Sequence, residues 1–247
     1  MAKNPIEAAY VTITTVFLDL YQTLAYFHPE RELRQWDVLR EYGFQVELEA
    51  VRRAYIEADH DYTLVGMKTP LYDMTREERH LIYVRFQEVL LRSLGLNHAV
   101  HMAEEIYQRF WKLDRELQLY PDVAPALTEL KQRGYKIGLI TNVTDDPTED
   151  VERIGLGKWI DEVIASCLVR CDKPNPKIFE IALERLDAVP EEAVHVGDQL
   201  LSDAEGATSA GIKGVLLDRY GLQDGGHHLR IQSLFELPSL LEKEIAR

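Results

Sequence analysis

Four short segments carry side chains able to act on one another. Asp19 closes the apolar run Val16-Phe-Leu-Asp19, and Tyr21, Gln22 and Thr23 follow where the chain must turn. Gly138-Leu-Ile-Thr-Asn142 ends a second apolar run in a hydroxyl and an amide, and Lys173 opens Lys173-Pro-Asn-Pro-Lys177. Val194-His-Val-Gly-Asp198 continues through Gln-Leu-Leu-Ser to Asp203. A strand-terminal carboxylate such as Asp19 can serve as a nucleophile that forms a covalent intermediate. A lysine beside it offsets the repulsion that an anionic substrate meets on approach. Asp198 and Asp203, near the start of a helix, suit a hard divalent cation, because magnesium accepts about six oxygens and keeps several of them as water. Each residue also has a plainer role. Asp19 serves as a turn residue, Asp198 and Asp203 as helix caps, and Lys173 as a solvated surface cation. The capping role accounts for either aspartate but not for Asp19 and Lys173 as well, so one shared site is the economical reading.

The elements that must position these residues follow from the pattern of the chain. The first strand covers 11–19. After Pro121 the sequence alternates, with helix 122–133 stopping at Gly134, strand 135–140, strand 161–166 and helix 176–188 opened by Pro176. Strand 193–197, helix 199–210 closed by Gly211, and strand 213–217 complete the series. Such alternation predicts a doubly wound parallel sheet, where ligands sit outside the carboxyl ends of the strands. Asp19, Thr141, Lys173 and Asp198 all fall at or just past such ends. Between about 30 and 117 strand signals vanish and helices 30–42, 47–62, 75–94 and 98–117 are expected. The third spreads Leu81, Val84, Phe86, Val89, Leu90 and Leu91 around much of its circumference, as in a small bundle. Tyr83, Phe86 and Trp111 are expected to fill its core. The division predicted is a core of 1–27 and 118–247 with a helical insert of 28–117.

Composition narrows the partners. With 247 residues, 46% of them hydrophobic, the chain can bury a sizeable interior. No run of about 18 apolar residues occurs and Met1–Glu7 has no leader character, which predicts a soluble cytoplasmic protein without a membrane span. Twenty-eight Lys and Arg against 42 Asp and Glu leave a net charge of −14, which opposes binding to nucleic acid or anionic membranes. Cys167 and Cys171 are four apart on an extended stretch, too far to bridge, and lack neighbours to complete a zinc set. Gly225-Gly-His-His228 reads as a solvated loop. No apolar stripe separates a subunit interface from core, so the pattern assigns no oligomeric state.

The four segments together resemble the motifs of the haloacid dehalogenase (HAD) superfamily of hydrolases, over essentially the whole chain except the details of the insert. The resemblance implies a Rossmann-like core with an inserted all-α cap that selects substrate. It implies Asp19 as the nucleophile forming an aspartyl-phosphate, with Thr141, Asn142 and Lys173 holding the phosphoryl group. It also implies Mg²⁺ held by Asp19, the backbone carbonyl of Tyr21, Asp198 and Asp203. One position departs from it. Phosphatases of the superfamily have a second aspartate where this chain has Tyr21, and that aspartate protonates the leaving group and then activates water. A phenol with a reference pKa near 10 is a poor base, and loss of such a group costs about 10²–10⁴-fold in rate. Asp-x-Tyr resembles the 2-haloacid dehalogenases, which release halide without needing a proton and work without metal, but whose fourth motif is a Ser-Ser-Asn segment rather than Gly-Asp with a second Asp. Gln22 stands where both groups usually have glycine. The reading that follows is a Mg²⁺-dependent phosphatase of a small phosphomonoester. The alternatives are a 2-haloacid dehalogenase or a non-catalytic phosphate-binding protein on the same scaffold. Arg31, Arg34, Arg52 and Arg53 are the insert's candidates for substrate contact, with solvated helix faces explaining them equally well.

Overall fold

The computed structural model describes residues 12–245. The leader reading of Met1–Glu7 and the first residue of the expected strand 11–19 lie outside them. The strand β1 is Thr15–Leu18, four residues buried on both faces because it is central in the sheet. It leads at once to β2 (Ala25–His28), which pairs antiparallel with β3 (Glu116–Leu119), Phe27 facing Leu117. Between β2 and β3 run α1 (Arg31–Glu41), α2 (Leu48–Gly66), α3 (Arg76–Ser93) and α4 (Ala103–Trp111). The expected helix 98–117 is therefore wrong at both ends. It begins as a 3₁₀ turn over Asn97–Met102 and stops at Trp111, and its last residues form β3 instead. The limits 28 and 117 fall inside a two-stranded ribbon through which the chain both leaves and re-enters the sheet layer.

The rest of the chain alternates as expected: α5 (Val123–Gln132), β4 (Lys136–Thr141), α6 (Thr148–Arg153), β5 (Glu162–Ala165), α7 (Ser166–Val169) and α8 (Pro176–Arg185). Then come β6 (Ala193–Gly197), α9 (Gly206–Ser209), β7 (Lys213–Leu217), β8 (Leu229–Ile231) and α10 (Leu237–Ile245). The helix expected over 199–210 is a π-helical turn, Leu200–Glu205, running into the single short turn of α9. The six-stranded sheet has the order β5-β4-β1-β6-β7-β8, every pair parallel. Its order reverses around β1, so the topological switch point lies between β1 and its neighbours.

Apolar clusters cover both faces of the sheet, as a doubly wound sheet requires. Leu127 and Leu130 of α5 pack with Leu237 and Leu241 of α10 on one face, and Ile178, Phe179 and Ala182 of α8 pack with Ala207 on the other. The helices α1–α4 bury a separate cluster that includes Val38, Leu39, Val51, Ala58, Leu90 and Ile106. Phe86 borders that cluster. Trp111 departs from its expected core role: it is 44% exposed, with Arg115 over its ring. Among the described residues, no helix is long and apolar enough to cross a membrane.

Candidate active site

Asp19 follows directly on β1, and its main-chain N–H donates to Val196 O of β6 at 3.0 Å, which ties the turn to the neighbouring strand. Lys173 reaches it from the loop after α7. Its Nζ donates to Asp19 Oδ1 and to Asp203 Oδ1, each at 2.6 Å, and to Ile140 O at 2.9 Å. The lysine is 3% exposed, Asp19 8% and Asp203 1%. All three donor positions of the ammonium are thus used, and one buried cation holds two strand-end carboxylates in fixed orientation.

Asn142 braces the lysine. Its Nδ2 donates to Lys173 O and its Oδ1 accepts from Lys173 N, both at 2.8 Å. The side chain of Asn142 is thus occupied in placing Lys173, and the role expected of this position toward a phosphoryl oxygen rests on its main-chain N–H. Thr141, 1% exposed, ends β4 and lines the same cavity as Asp19 and Lys173. Asp203, expected from sequence to help place the metal, has both carboxylate oxygens hydrogen-bonded. Beyond Lys173, its Oδ1 is 3.0 Å from His195 Nε2, and its Oδ2 accepts from Gln199 N at 3.0 Å. Both oxygens are engaged, so its first task is to anchor Lys173. Gly197 makes room for this: a Cβ there would lie 2.2 Å from Asp203 Cγ.

Burial and charge set the protonation states. Burial raises Asp19 to about 6, with Lys173 opposing the rise. Asp198 is raised well above the carboxylate range, first by burial and then by the charges of Asp19 and Asp203. Burial would raise Asp203 too, but Lys173 and His195 outweigh it and hold that carboxyl well below its usual range. Lys173 is raised because the two carboxylates outweigh its own desolvation. His195 is lowered by burial and stays a neutral imidazole.

Tyr21 stacks on Phe27 with centroids 5.9 Å apart and donates from its hydroxyl to Asp150 Oδ2 of α6 at 3.3 Å. Burial, then Asp150, pushes the phenol up to about 12. It holds a proton firmly and is no base at neutral pH. Gln22 adopts φ +64°, a left-handed conformation that glycine enters without cost, and its Oε1 accepts from Tyr120 Oη at 3.1 Å. The departure from glycine at this position is a conformational load rather than a change of turn.

These groups face a cavity of about 370 Å³ between the sheet's carboxyl edge and α2 and α3, which contribute Tyr62, Thr63 and Tyr83. Its rim adds Asp145, Asp146, Asp150 and Asp172, leaving Lys173 as the one Lys or Arg against seven carboxylates among the described residues. A second cavity, of about 630 Å³, shares the wall formed by Thr63, Asp198 and Gln199. Thr63 Oγ1 donates to Gln199 Oε1 at 3.1 Å across that wall. Of the insert's candidate cations, Arg31, Arg52 and Arg53 line the second cavity, and Arg34 lies in a separate groove beside Pro29.

The donor set fits a magnesium ion of the kind the resemblance implies. No hydrogen bond reaches the Asp198 carboxyl from another described side chain, and it feels the charges of Asp19 and Asp203 with Arg31 opposing them. No three His, Cys, Asp or Glu among the described residues converge into a complete cage. Magnesium needs no such cage, since one or two carboxylates with water and substrate oxygens complete its shell.

Reasoning from sequence missed His195, Gln199, Asp150 and Thr63. His195 sits between two valines of a buried strand, where a histidine reads as core. Only the shared parity of His195 and the strand-end Gly197 pointed toward Asp203.

Comparison with known proteins agrees with this arrangement. The model of haloacid dehalogenase-like hydrolases matches residues 13–211. A glyceraldehyde 3-phosphate phosphatase of Methanopyrus kandleri is 35% identical over 191 residues, covering 70% of this chain and 75% of that protein. Two solved structures are each 25% identical. A 2-haloacid dehalogenase from Pseudomonas syringae pv. Tomato matches 94% of this chain and 99% of its own, with a TM-score of 0.56. A HAD phosphatase from Thermococcus onnurineus matches 93% and 98%, with a TM-score of 0.55. The two structures are equally like this chain, whereas the 35% identical relative is a phosphatase. On sequence and fold the chain belongs to the haloacid dehalogenase-like hydrolases.

Proposed function

We propose that the protein is a Mg²⁺-dependent phosphatase of a small phosphomonoester, working in the cytoplasm, with the helical insert 28–117 as its substrate-selecting cap. The observation that carries this reading is the open Asp198 carboxylate beside the Lys173–Asp19 pair, which a dehalogenase working without metal would not require. Cys167 and Cys171 are both free thiols, in keeping with a reducing compartment. The net charge of −14 makes nucleic acid an unsuitable substrate.

Lys173 fixes Asp19 Oδ1 and thereby the orientation of the carboxylate that attacks phosphorus. A bond forms from Asp19 to phosphorus as the ester P–O bond breaks and its electron pair leaves with the alcohol oxygen. Thr141 faces the phosphoryl oxygens, and Lys173 contributes its charge there while its donors stay on Asp19, Asp203 and Ile140. Water then cleaves the aspartyl-phosphate. A bound magnesium ion would supply charge neutralisation for the phosphoryl oxygens, held by Asp198, Asp19 and the Tyr21 carbonyl. Asp203 acts through Lys173. With its phenol pushed up to about 12, Tyr21 is too weak an acid to protonate a leaving alcohol, so leaving groups that depart without a proton should turn over best.

The test is phosphate release from an aryl phosphate and a set of alkyl phosphates, with Mg²⁺ and with EDTA, alongside halide release from 2-chloropropionate. Mg²⁺-dependent phosphate release that disappears in Asp19→Asn is expected. Halide release that persists in EDTA, with no phosphate released, would replace this reading with the dehalogenase.

A further inference from the structure

Asp19 owes its orientation to Lys173. The other two positions proposed to hold magnesium, the Tyr21 carbonyl and Asp198, are reached from the loop 218–224, which follows β7 and which the mechanism above leaves unused. Gln223 Nε2 donates to Asp198 O at 2.8 Å. From the same loop, Arg219 Nη2 donates to Thr23 O at 2.7 Å, two residues past Tyr21. The Arg219 guanidinium also lies 3.8 Å from the centroid of the Tyr120 ring, and Tyr120 Oη donates to Gln22 Oε1 at 3.1 Å. One loop therefore grips the turn that carries Tyr21 and, separately, the main chain of Asp198.

Neither grip would work from a loose loop. Asp218, 2% exposed, accepts from Leu222 N and Gln223 N with its two carboxylate oxygens at 3.0 and 2.9 Å, so its side chain closes the loop on itself. Arg219 is anchored by Asp122, 4% exposed, to which Nη1 and Nη2 donate at 2.8 and 3.1 Å. Asp122 Oδ2 accepts in addition from Ser233 Oγ and Leu234 N, each at 2.8 Å. Both targets also need holding. Gln22 sits at φ +64°, where a side chain has a steric cost, so the turn would relax to another shape if released. The Asp198 carboxyl has no hydrogen bond from another described side chain, so the placement of its main chain counts for more.

We propose that Arg219 and Gln223 are positioning residues of the magnesium site: they fix the main chain at Thr23 and Asp198, and through it the Tyr21 carbonyl and the Asp198 carboxyl that would hold the ion. This rests on the metal-dependent reading above and gives a task to two residues that stand behind the site. Partners behind a metal's ligands contribute tenfold or more to its affinity, because they hold each ligand in the one orientation it needs.

The experiment titrates Mn²⁺, a paramagnetic stand-in for magnesium, into the protein without substrate and reads the free ion by its EPR signal. Gln223→Met keeps the length of the side chain and loses the donor, and it should weaken Mn²⁺ binding by about 10-fold. Arg219→Lys keeps a charge for Asp122 but has no fork to span Asp122 and Thr23 together, and it should weaken binding by a similar factor. Phosphate release from an aryl phosphate by either variant should fall at limiting Mg²⁺ and return when Mg²⁺ is raised about 10-fold, a recovery that loss of folded protein would not show. Tyr220→Phe is the control within the loop, since it removes a hydrogen bond of 2.9 Å to Glu30 of the insert and should leave Mn²⁺ binding as it is. If Arg219→Lys does not fold, Gln223→Met decides. Unchanged Mn²⁺ affinity in Gln223→Met, or an equal loss in Tyr220→Phe, would overturn the inference and leave the phosphatase reading standing. Absence of Mn²⁺ binding by the wild type, or binding that survives Asp198→Ala, would sink the metal-dependent reading and the inference with it.

Discussion

Lys173 Nζ stands 2.6 Å from Asp19 and from Asp203 with its side chain 2% exposed, while Arg85 of α3 holds Asp61 of α2 at the same 2.6 Å with its side chain 55% exposed. The contact distance is the same and the physics is not. Around Lys173 there is no water to replace a lost partner, so each charge depends on the others being present. Around Arg85 the solvent screens the attraction and would hydrate either group alone. The helical insert is tied together largely by pairs of the second kind, such as Arg109 with Glu41 and Arg53 with Glu49, over an apolar cluster that carries its stability. The sheet's carboxyl edge concentrates pairs of the first kind. A region built for chemistry keeps charges it must work to hold, and the outer face of the insert that covers it does not.

Lys173→Met should break the comparison most sharply. The substitution removes the charge and leaves Asp19 and Asp203 buried together, so unfolding free energy should fall by about 3–5 kcal/mol, the cost of removing one partner from a buried pair. Phosphate release should fall by at least about 10³-fold, since orientation of the nucleophile and charge compensation go together. Urea unfolding and an aryl phosphate assay read the two effects separately. Full stability with lost activity would mean that the network is catalytic without being structural, and that burial does not make these charges interdependent.

Much of this contrast was legible in the chain, because the sheet's geometry converts spacing into position. Asp19, Thr141 and Asp198 each close or follow a short apolar run, and parallel strands bring such ends to one edge. Asp203 in the π-helical turn is expected from sequence to help place a metal, and nothing in Gln-Leu-Leu-Ser-Asp shows that both its oxygens accept hydrogen bonds from within the protein. The β2–β3 ribbon was missed because each strand has four residues and its partner lies across the whole insert, a pairing that local periodicity cannot register. Glu116–Leu119 also continues a helical run of sequence without a glycine or proline to mark the break.

Tyr21→Asp sharpens the comparison from within the site. Tyr21 is the one member of the cavity whose hydroxyl points its proton to α6, through Asp150, rather than into the Lys173 network. A carboxyl there would restore a group able to protonate a leaving alcohol, so kcat on alkyl phosphates should rise by about 10²-fold, with a much smaller change on an aryl phosphate. The ratio of the two substrates is the readout, because a general acid matters in proportion to the basicity of the leaving group. A uniform change on both would assign Tyr21 to positioning of the turn instead.

The smallest effect is expected at Arg85. Arg85→Ala removes two hydrogen bonds of 2.6 and 2.8 Å to Asp61, which is more contact by length than many buried pairs make. The stability loss should nonetheless stay within about 0–1 kcal/mol, because the ion pair exchanges one good solvation for another and holding a long side chain in place costs entropy. Asp61 is lowered first by its hydrogen bonds from Arg85, so the pair is real; its net contribution is what solvent cancels. A double-mutant cycle with Asp61→Ala isolates that contribution, and it should shrink further at 1 M salt, where the Debye length is about 3 Å. A coupling above about 2 kcal/mol that survives such salt would show that the helical insert depends on its surface charges as the active site depends on Lys173, and the distinction between the two regions would then rest on chemistry rather than on burial.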